Sequence, residues 1–163
     1  MRLLFLVALA AFAVDQATKY AVIYGLDLIT LRQIDVAPPY LVFRKGLNTG
    51  INFGLFSGGG PVARYGLALL AVAISAVLVL WARRFTRAIE FVAAGLLVGG
   101  ALGNAVDRLF HPGVLDFLNM SCCGIDNPYI FNVADVFIFA GAIGLALFSG
   151  SERPDAHDGK NGP

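Results

Sequence analysis

Carboxylates are the side chains with which this sequence could do chemistry. Asp116 follows a short apolar run, and Asp135 lies three residues after Asn132 at the start of a long apolar run. Two carboxyl groups held close together share a proton, because the ionisation of one opposes the ionisation of the other. One group can then take a proton from water while the other protonates a carbonyl oxygen. Asp116 and Asp135 are therefore a candidate catalytic pair, called the candidate dyad below.

Other reaction chemistries lack the residues that they need. The histidines are His111 and His157, the second in a polar tail, so a serine–histidine–acid set is not available. Cys122 and Cys123 are adjacent, which excludes the usual spacing of a zinc site and an ordinary disulfide framework. We interpret them as loop thiols without a catalytic task, with a bridge between them or a species-specific contact left open. We expect no metal and no cofactor, and the net charge of +1 gives no reason to expect nucleic acid.

Further polar residues accompany the candidate dyad at helical spacing. Asn104 and Arg108 share a helix face, and Arg108 can bind a carboxylate or a backbone carbonyl group. Asp107 lies about 100° around the helix from Arg108 and is expected to tether another element. Asp15 and Lys19 are four apart, acid first, which favours an ion pair. Each residue alone is explained as well by an interhelical hydrogen bond or an interfacial charge, but together they favour a site.

Long apolar runs surround these residues. Of 163 residues, 58% are hydrophobic and 14% are charged, and the mean hydropathy is +0.74, unlike a typical soluble domain. The composition predicts an all-α integral membrane protein with one membrane-embedded domain over residues 1–150 and a polar, disordered cytoplasmic tail at 151–163. Glycines in the third span are expected to permit close helix packing. The four predicted transmembrane helices cover about 3–24, 62–82, 88–106 and 130–149.

A cleavable signal peptide is the alternative for the first span, but apolar residues resume at 20–24 and favour a retained helix. The basic loop at 83–87 predicts that both termini are cytoplasmic and that 25–60 and 107–129 lie on the opposite side. Residues 25–60 contain a proline pair, a strand-like run and a polar–apolar alternation. They are interpreted as a small extracytoplasmic β-cradle, with an amphipathic loop as the alternative.

Five motifs occur in order along the chain: 15–19 (DQATK), 48–50 (NTG) with 53–54 (FG), 99–104 (GGALGN) with 107–108 (DR), 114–117 (VLDF) and 131–135 (FNVAD). Together they resemble the lipoprotein signal peptidase (signal peptidase II) family of bacterial membrane aspartic peptidases. The resemblance spans residues 1–150. It implies an endopeptidase of the bacterial cytoplasmic (inner) membrane that removes the signal peptide of a prolipoprotein just before the lipid-modified cysteine. It also implies a β-cradle, a short periplasmic helix or loop, and a target of the cyclic peptide globomycin.

Carried over by motif, Asp116 and Asp135 are the catalytic residues of such a peptidase. The expected partners are a prolipoprotein substrate with a lipid-modified cysteine and membrane lipids, and we expect a monomer. Asn52 stands where the family commonly has a small residue, which puts the shape of the cradle in question. The resemblance also implies two further groups of site residues. Substrate-binding or dyad-supporting residues are Asn48, Gly50, Asn104, Arg108 and Asn132, and residues that give structural support are Asp15, Lys19 and Asp107.

Two other functions stay open on the residues alone. A transporter or proton-coupled channel would use intramembrane carboxylates as a proton relay, but here they cluster at one face and no inverted repeat is visible. A non-enzymatic assembly protein would use glycine-rich helices to pack partners, and it would leave Asp116 and Asp135 without a task. Proton flux in vesicles and peptide cleavage distinguish these functions.

Overall fold

The computed structural model describes residues 1–50 and 60–149, and within them the chain is mainly helical, as predicted. α1 continues into a π-helical segment, Tyr20–Gly25, and α3 into a 3-10 turn, Ala82–Arg84. The predictions for Asn52, residues 53–56 and the tail at 151–163 fall outside the described residues. The helices are α1 (Arg2–Lys19), α2 (Leu28–Leu31), α3 (Pro61–Trp81), α4 (Ala88–Phe110) and α5 (Val133–Phe148).

Three helical stretches in the described ranges are long and apolar enough to cross a membrane: Arg2–Gly25, Pro61–Arg84 and Ala88–Phe110. They fall within a few residues of three predicted spans. α5, at the place of the fourth predicted span, has only 16 residues. At 1.5 Å per residue it is about 24 Å long, less than the ~30 Å apolar thickness of a bilayer. The N–H groups of its first turn therefore need partners within the protein.

α4 is the central helix, against which α1, α3 and α5 all pack. Glycine allows two of these approaches. A methyl group on Gly99 would lie 2.4 Å from the carbonyl oxygen of Ala8 in α1, and one on Gly100 would lie 2.5 Å from the carbonyl oxygen of Ala134 in α5. Both distances are too short for a real contact, so a larger residue would push the helices apart. The glycines of α4 thus have the packing role that the sequence predicts.

Two apolar clusters lie at opposite ends of the bundle. The first joins the beginning of α1 and the beginning of α4 to the ends of α3 and α5. The second lies where the π-helical segment meets the β-sheet. The polar residues of the predicted site lie near the second cluster. The buried members are Leu4, Ala8, Leu78, Ala82, Ala93, Ala94, Val98 and Leu145 in the first cluster, and Val22, Ile23, Leu28 and Phe117 in the second.

An antiparallel sheet of three strands lies at the site end of the bundle, in the order β1 (Gln33–Ala37), β2 (Leu41–Asn48), β3 (Val114–Asn119). The β2–β3 register places Gly46 opposite Asp116. The first two strands confirm the extended structure predicted in 25–60. The third strand comes from the other polar segment, so the sheet joins both segments.

The segment 107–129, all of which is described, differs in detail from its prediction as a helix or loop. α4 continues to Phe110 instead of ending at 106, and it stops just before Pro112, which cannot extend a helix. β3 follows, and the chain is then irregular up to α5, apart from isolated β-bridges. Of the predicted helix or loop, the loop therefore describes the chain after β3. A short helix, α2, is present, but it lies in the other polar segment, 25–60.

Candidate active site

The first turn of α5 holds Asn132 and Asp135 in a reciprocal capping box. The Asn132 side-chain oxygen accepts the Asp135 N–H at 3.0 Å, and Asp135 Oδ2 accepts the Asn132 N–H at 3.1 Å. Both donors would otherwise lack partners at the start of the helix. Three-residue spacing predicts only a shared helix face, but an asparagine three residues before an acid, ahead of an apolar run, also signals this cap.

Asp15 of α1 provides a further cap for α5. Its Oδ1 accepts the Ala134 N–H at 2.9 Å, while its Oδ2 accepts Lys19 Nζ at 2.8 Å, so the predicted Asp15–Lys19 pair is present. Both residues are almost completely buried: the exposed fraction is 0% for Asp15 and 1% for Lys19. A carboxylate at a helix N-terminus is favoured because it faces the positive end of the helix dipole. Since this contact joins opposite ends of the chain, local spacing does not reveal it.

Lys19 is the cation of a buried polar cluster. Its Nζ lies 2.8 Å from Asp15 Oδ2 and 2.7 Å from Asp107 Oδ2, and it donates to Asn104 Oδ1 at 3.1 Å. These three acceptors match the three N–H groups of an ammonium. A buried charge is tolerated only when it is paired and hydrogen-bonded in this way. Asp15, Lys19 and Asp107 are called the support cluster below.

Asp107 connects the support cluster to β3. Its Oδ2 accepts the N–H of Leu115, the residue before Asp116, at 3.1 Å. Its Oδ1 accepts Gln16 Nε2 at 3.1 Å, and the same nitrogen lies 3.1 Å from Asp15 Oδ2. Gln16 is not among the predicted site residues. The signal that could have found it is an amide within an apolar helix, which needs partners inside the protein.

Asp116 lies in β3, with 3% of its surface exposed. The Asn132 side-chain amide donates to its Oδ1 at 2.6 Å. Burial and, next, the negative charge of Asp135 raise the pKa of Asp116 to about 7, while hydrogen bonds from Asn132 and Asn48 act in the opposite direction. Gly46 makes room for this residue, because a methyl group there would lie 3.2 Å from the Asp116 Cβ.

Asn104 joins the support cluster to the candidate dyad. Its Nδ2 donates to Asp135 Oδ1 at 2.9 Å. Its Oδ1 accepts from Lys19 Nζ and from Asn132 Nδ2, each at 3.1 Å. Because Asn132 also donates to Asp116, one hydrogen-bond network contains both aspartates of the candidate dyad. Residues from α1, β3, α4 and α5 thus meet at one place.

Arg108 binds main-chain oxygens next to this network. Its guanidinium donates to the carbonyl oxygen of Gly50 at 3.0 Å and to that of Asn104 at 3.3 Å. Asn48 Oδ1 accepts the Gly50 N–H at 3.2 Å. These bonds hold the chain that follows β2 against α4. All the predicted substrate-binding or dyad-supporting positions therefore lie in or beside the network.

Arg64 of α3 is a neighbour of the site that its sequence position does not indicate. Its guanidinium donates to the carbonyl oxygen of Arg108 and, at 2.7 Å, to that of Leu109. These oxygens belong to the last turn of α4, where carbonyl groups have no partner within the helix. Arg64 therefore caps α4 from a neighbouring helix and holds the backbone that carries Arg108.

An apolar groove of about 450 Å³ opens beside Asp135, which is partly exposed. Such a lining suits an apolar ligand placed next to a carboxylate. Cys122 and Cys123 are both free and exposed. Across residues 1–50 and 60–149, no group of three or more His, Cys, Asp or Glu side chains is placed to hold a metal ion. The groove is lined by Phe131, Asp135, Val136, Ile138, Phe139 and Ala142.

Solved structures share this fold. Two chains described as bacterial membrane enzyme structures each superpose with a TM-score of 0.72. One is 27% identical and covers 93% of this chain and 93% of its own length. The other is 29% identical and covers 91% of this chain and 94% of its own length.

Sequence relatives agree with the structural match. Lipoprotein signal peptidase of Methylobacterium radiotolerans is 41% identical over 149 residues, 91% of this chain and 85% of the relative. That of Rhodopseudomonas palustris is 40% identical, over 89% of this chain and 90% of the relative. That of Pseudomonas putida is 39% identical, over 86% of this chain and 82% of the relative. Since a family model described as signal peptidase (SPase) II also matches residues 7–150, the chain belongs to the lipoprotein signal peptidase family and is a peptidase.

Proposed function

We propose that this peptidase removes the signal peptide of diacylglyceryl-modified prolipoproteins by cutting just before the lipid-modified cysteine. In this proposal Asp116 and Asp135 are the catalytic dyad and activate the attacking water. The observation that carries it is a shared partner: Asn132 donates its side-chain amide to Asp116 at 2.6 Å and its main-chain N–H to Asp135 at 3.1 Å. Family membership supports the coarser statement that prolipoprotein signal peptides are cleaved.

The two aspartates have different tasks because their surroundings differ. With a pKa raised to about 7, Asp116 keeps a proton near neutral pH and acts as the general acid. Asp135 accepts the Asn104 amide at Oδ1 and the Asn132 N–H at Oδ2, as an ionised carboxylate does, and acts as the general base. Water adds to the scissile carbonyl carbon, its proton passes to Asp135, and the Asp116 proton passes to the carbonyl oxygen. The C–N bond then breaks as Asp135 passes its proton to the leaving amine, and a hydroxyl proton of the tetrahedral intermediate returns to Asp116, which leaves a carboxylic acid product and restores both aspartates.

Arg108 and the chain at Asn48–Gly50 hold the substrate beside the dyad. Arg108 uses its guanidinium to bind the Gly50 carbonyl oxygen, and its remaining N–H groups can bind a peptide carbonyl group of the substrate. The apolar groove next to Asp135 accepts an apolar side chain near the cut site. The proposed substrate path therefore runs along the network described above.

The proposed membrane arrangement has four spans. α5 is the fourth and shortest span, and its capped first turn lies at the extracytoplasmic boundary together with the site. The loop with Arg83, Arg84 and Arg87 lies in the cytoplasm, as do both termini. The enzyme works as a monomer among membrane lipids, since one chain supplies both aspartates of the dyad.

Cleavage of a diacylglyceryl-modified prolipoprotein by purified wild type, Asp116→Asn and Asp135→Asn tests this function. Each substitution removes one proton-transferring group, so kcat should fall by about 10²- to 10⁴-fold without loss of folded protein. Mass spectrometry of the product should place the cut just before the modified cysteine. Asp126→Asn is the matched control because Asp126 is exposed, and it should cleave like wild type.

A folded Asp116→Asn or Asp135→Asn enzyme with near-wild-type turnover would exclude the dyad. A folded wild-type enzyme that does not cut this substrate would exclude the proposed reaction, and proton flux in vesicles would then be the next measurement. Globomycin should block the wild-type cleavage.

A further inference from the structure

Lys19 reaches the candidate dyad only through another residue. Its three N–H groups are used by Asp15, Asp107 and Asn104, so none remains for Asp116 or Asp135. The exposed fraction of Lys19 is 1% and that of Asn104 is 8%, so water does not replace these contacts. Any effect of Lys19 on proton transfer must therefore pass through the Asn104 amide or act at a distance through its charge.

The Asn104 amide has only one orientation that satisfies its neighbours. Its Oδ1 accepts two donors, Lys19 Nζ and Asn132 Nδ2, each at 3.1 Å. Its Nδ2 donates to an acceptor, Asp135 Oδ1, at 2.9 Å. A rotated amide would place N–H groups against the lysine ammonium and an oxygen against the carboxylate, so every one of these contacts would become repulsive. Because Lys19 has no acceptor, it excludes that rotated state.

We infer that Lys19 is a positioning residue that fixes the side-chain orientation of Asn104, so that the Asn104 N–H is always directed at Asp135. This inference rests on the proposed function, because it assigns a task to Lys19 within the Asp116–Asp135 reaction. Its cationic bond to Asn104 Oδ1 also polarises the amide and strengthens the N–H donation on the other side. Asp15 and Asp107 in turn hold the ammonium at that place, 2.8 and 2.7 Å away.

The consequence for catalysis is a defined state of the base. With the Asn104 N–H held on Asp135, the carboxylate keeps a donor at Oδ1 as well as the main-chain donor at Oδ2, and stays ready to accept a proton from water. Without Lys19, Asn104 Oδ1 keeps only the Asn132 donor, so the orientation that directs its N–H at Asp135 is less strongly favoured over the rotated one. The lysine thus determines kcat without touching the substrate.

A mutant cycle in the Asp107→Asn background separates this task from simple structural support. Lys19→Met in that background removes one positive charge, while Asp107→Asn removes one negative charge, so the net charge of the support cluster stays as in wild type. Asp107→Asn alone is the matched control. Four enzymes are compared, and all of them carry Asp107→Asn. The first has no other change, the second adds Lys19→Met, the third adds Asn104→Leu, and the fourth adds both. Measured quantities are kcat, KM and the melting temperature of each purified enzyme.

Lys19→Met should lower kcat by about ten- to a hundredfold with KM within about twofold, the cost of one hydrogen bond to a charged group. In the Asn104→Leu background, where no amide is left to orient, Lys19→Met should cause no further fall in kcat. Equal falls in kcat in both backgrounds would overturn the inference. If Asp135→Asn is inactive but the effects of Lys19→Met and Asn104→Leu on kcat simply add, the proposed function stands and only the inference about Lys19 fails. If Asp135→Asn is active, the proposed function itself is excluded.

Asn104→Asp in the wild-type background supplies a second measurement if a Lys19 variant does not fold. Its carboxylate keeps an acceptor for Lys19 but offers no N–H to Asp135. The inference predicts that kcat falls as far as in Asn104→Leu, although the contact with Lys19 is retained. Wild-type kcat in Asn104→Asp would overturn it.

Discussion

Two pairs of aspartates meet at the same end of the bundle, and their partners differ. In the support cluster the Lys19 ammonium lies 2.8 Å from Asp15 and 2.7 Å from Asp107. Asp116 and Asp135 are bonded by amide groups, and among the described residues neither forms an ion pair. A carboxylate bonded to a cation holds structure, whereas a buried carboxylate next to a like charge, as at Asp116, retains a proton that it can transfer. The same residue type thus serves stability in one pair and, as we propose, chemistry in the other.

The comparison predicts that stability and activity separate on mutation. Lys19→Met leaves Asp15 and Asp107 buried without their cation, and should lower the free energy of unfolding by about 3–5 kcal/mol. Asp116→Asn breaks no ion pair and replaces a carboxyl group whose ionised form is disfavoured by burial, so it should not lower the free energy of unfolding near neutral pH. Unfolding of the purified proteins in detergent, followed by circular dichroism, measures both values. Equal destabilisation by the two substitutions would contradict the distinction between the pairs.

Activity should depend on pH through Asp116. Below about pH 7 this carboxyl group holds its proton and can donate it, so kcat/KM should fall about tenfold per unit as the pH rises above that value. The same raised pKa means that the contribution of Asp116 to stability is lost as pH rises from 3.8 to about 7, since the folded state binds the proton more tightly. The pH profile of kcat/KM tests the first statement.

Asn48→Ala sharpens this prediction. The Asn48 hydrogen bond favours the ionised form of Asp116 and lowers its pKa, so its removal should move the alkaline fall in kcat/KM to higher pH. An unchanged or lower midpoint would show that the fall does not report Asp116. Asp35→Asn, in an exposed position on β1, is a control that should leave the midpoint in place.

The sequence predicts features that depend on local patterns. Apolar runs locate the helices, and four-residue spacing identifies the Asp15–Lys19 pair because both residues lie on one helix. Polar residues within apolar runs point to Asn104, because a polar group there needs a partner or a task. These inferences require no knowledge of which helices are neighbours. They cover most of the candidate site.

Contacts that depend on packing could not be predicted in the same way. β3 is a six-residue run that becomes a strand because β2 is available to pair with it. Arg64 caps α4 only because α3 places it beside the last turn of that helix. The Asp15 bond to the Ala134 N–H likewise depends on how α1 and α5 meet across α4. The spacing of residues along the sequence does not indicate which residues far apart in the chain will be in contact.

The smallest expected effects come from two glycines, one beside each aspartate pair. A methyl group on Gly103 would lie 2.7 Å from Asp15 Oδ2, which accepts Lys19 Nζ, while Asp15 Oδ1 accepts the Ala134 N–H, so Gly103→Ala strains the support cluster. It should cost about 1–3 kcal/mol of unfolding free energy. Gly66 has open space around it, so Gly66→Ala is the matched helix control and should stabilise slightly.

Gly46→Ala acts on the other pair. Its methyl group would lie 3.2 Å from the Asp116 Cβ, so β3 must shift by a few tenths of an ångström. Because a misplacement of about 1 Å can cost about 10²-fold in rate, a shift of this size should lower kcat several-fold with only a small change in melting temperature. If Gly103→Ala instead lowers kcat at unchanged stability, and Gly46→Ala lowers stability at unchanged kcat, the assignment of the two pairs must be reversed. The expected pattern would show that stability and catalysis depend on different aspartates of one network.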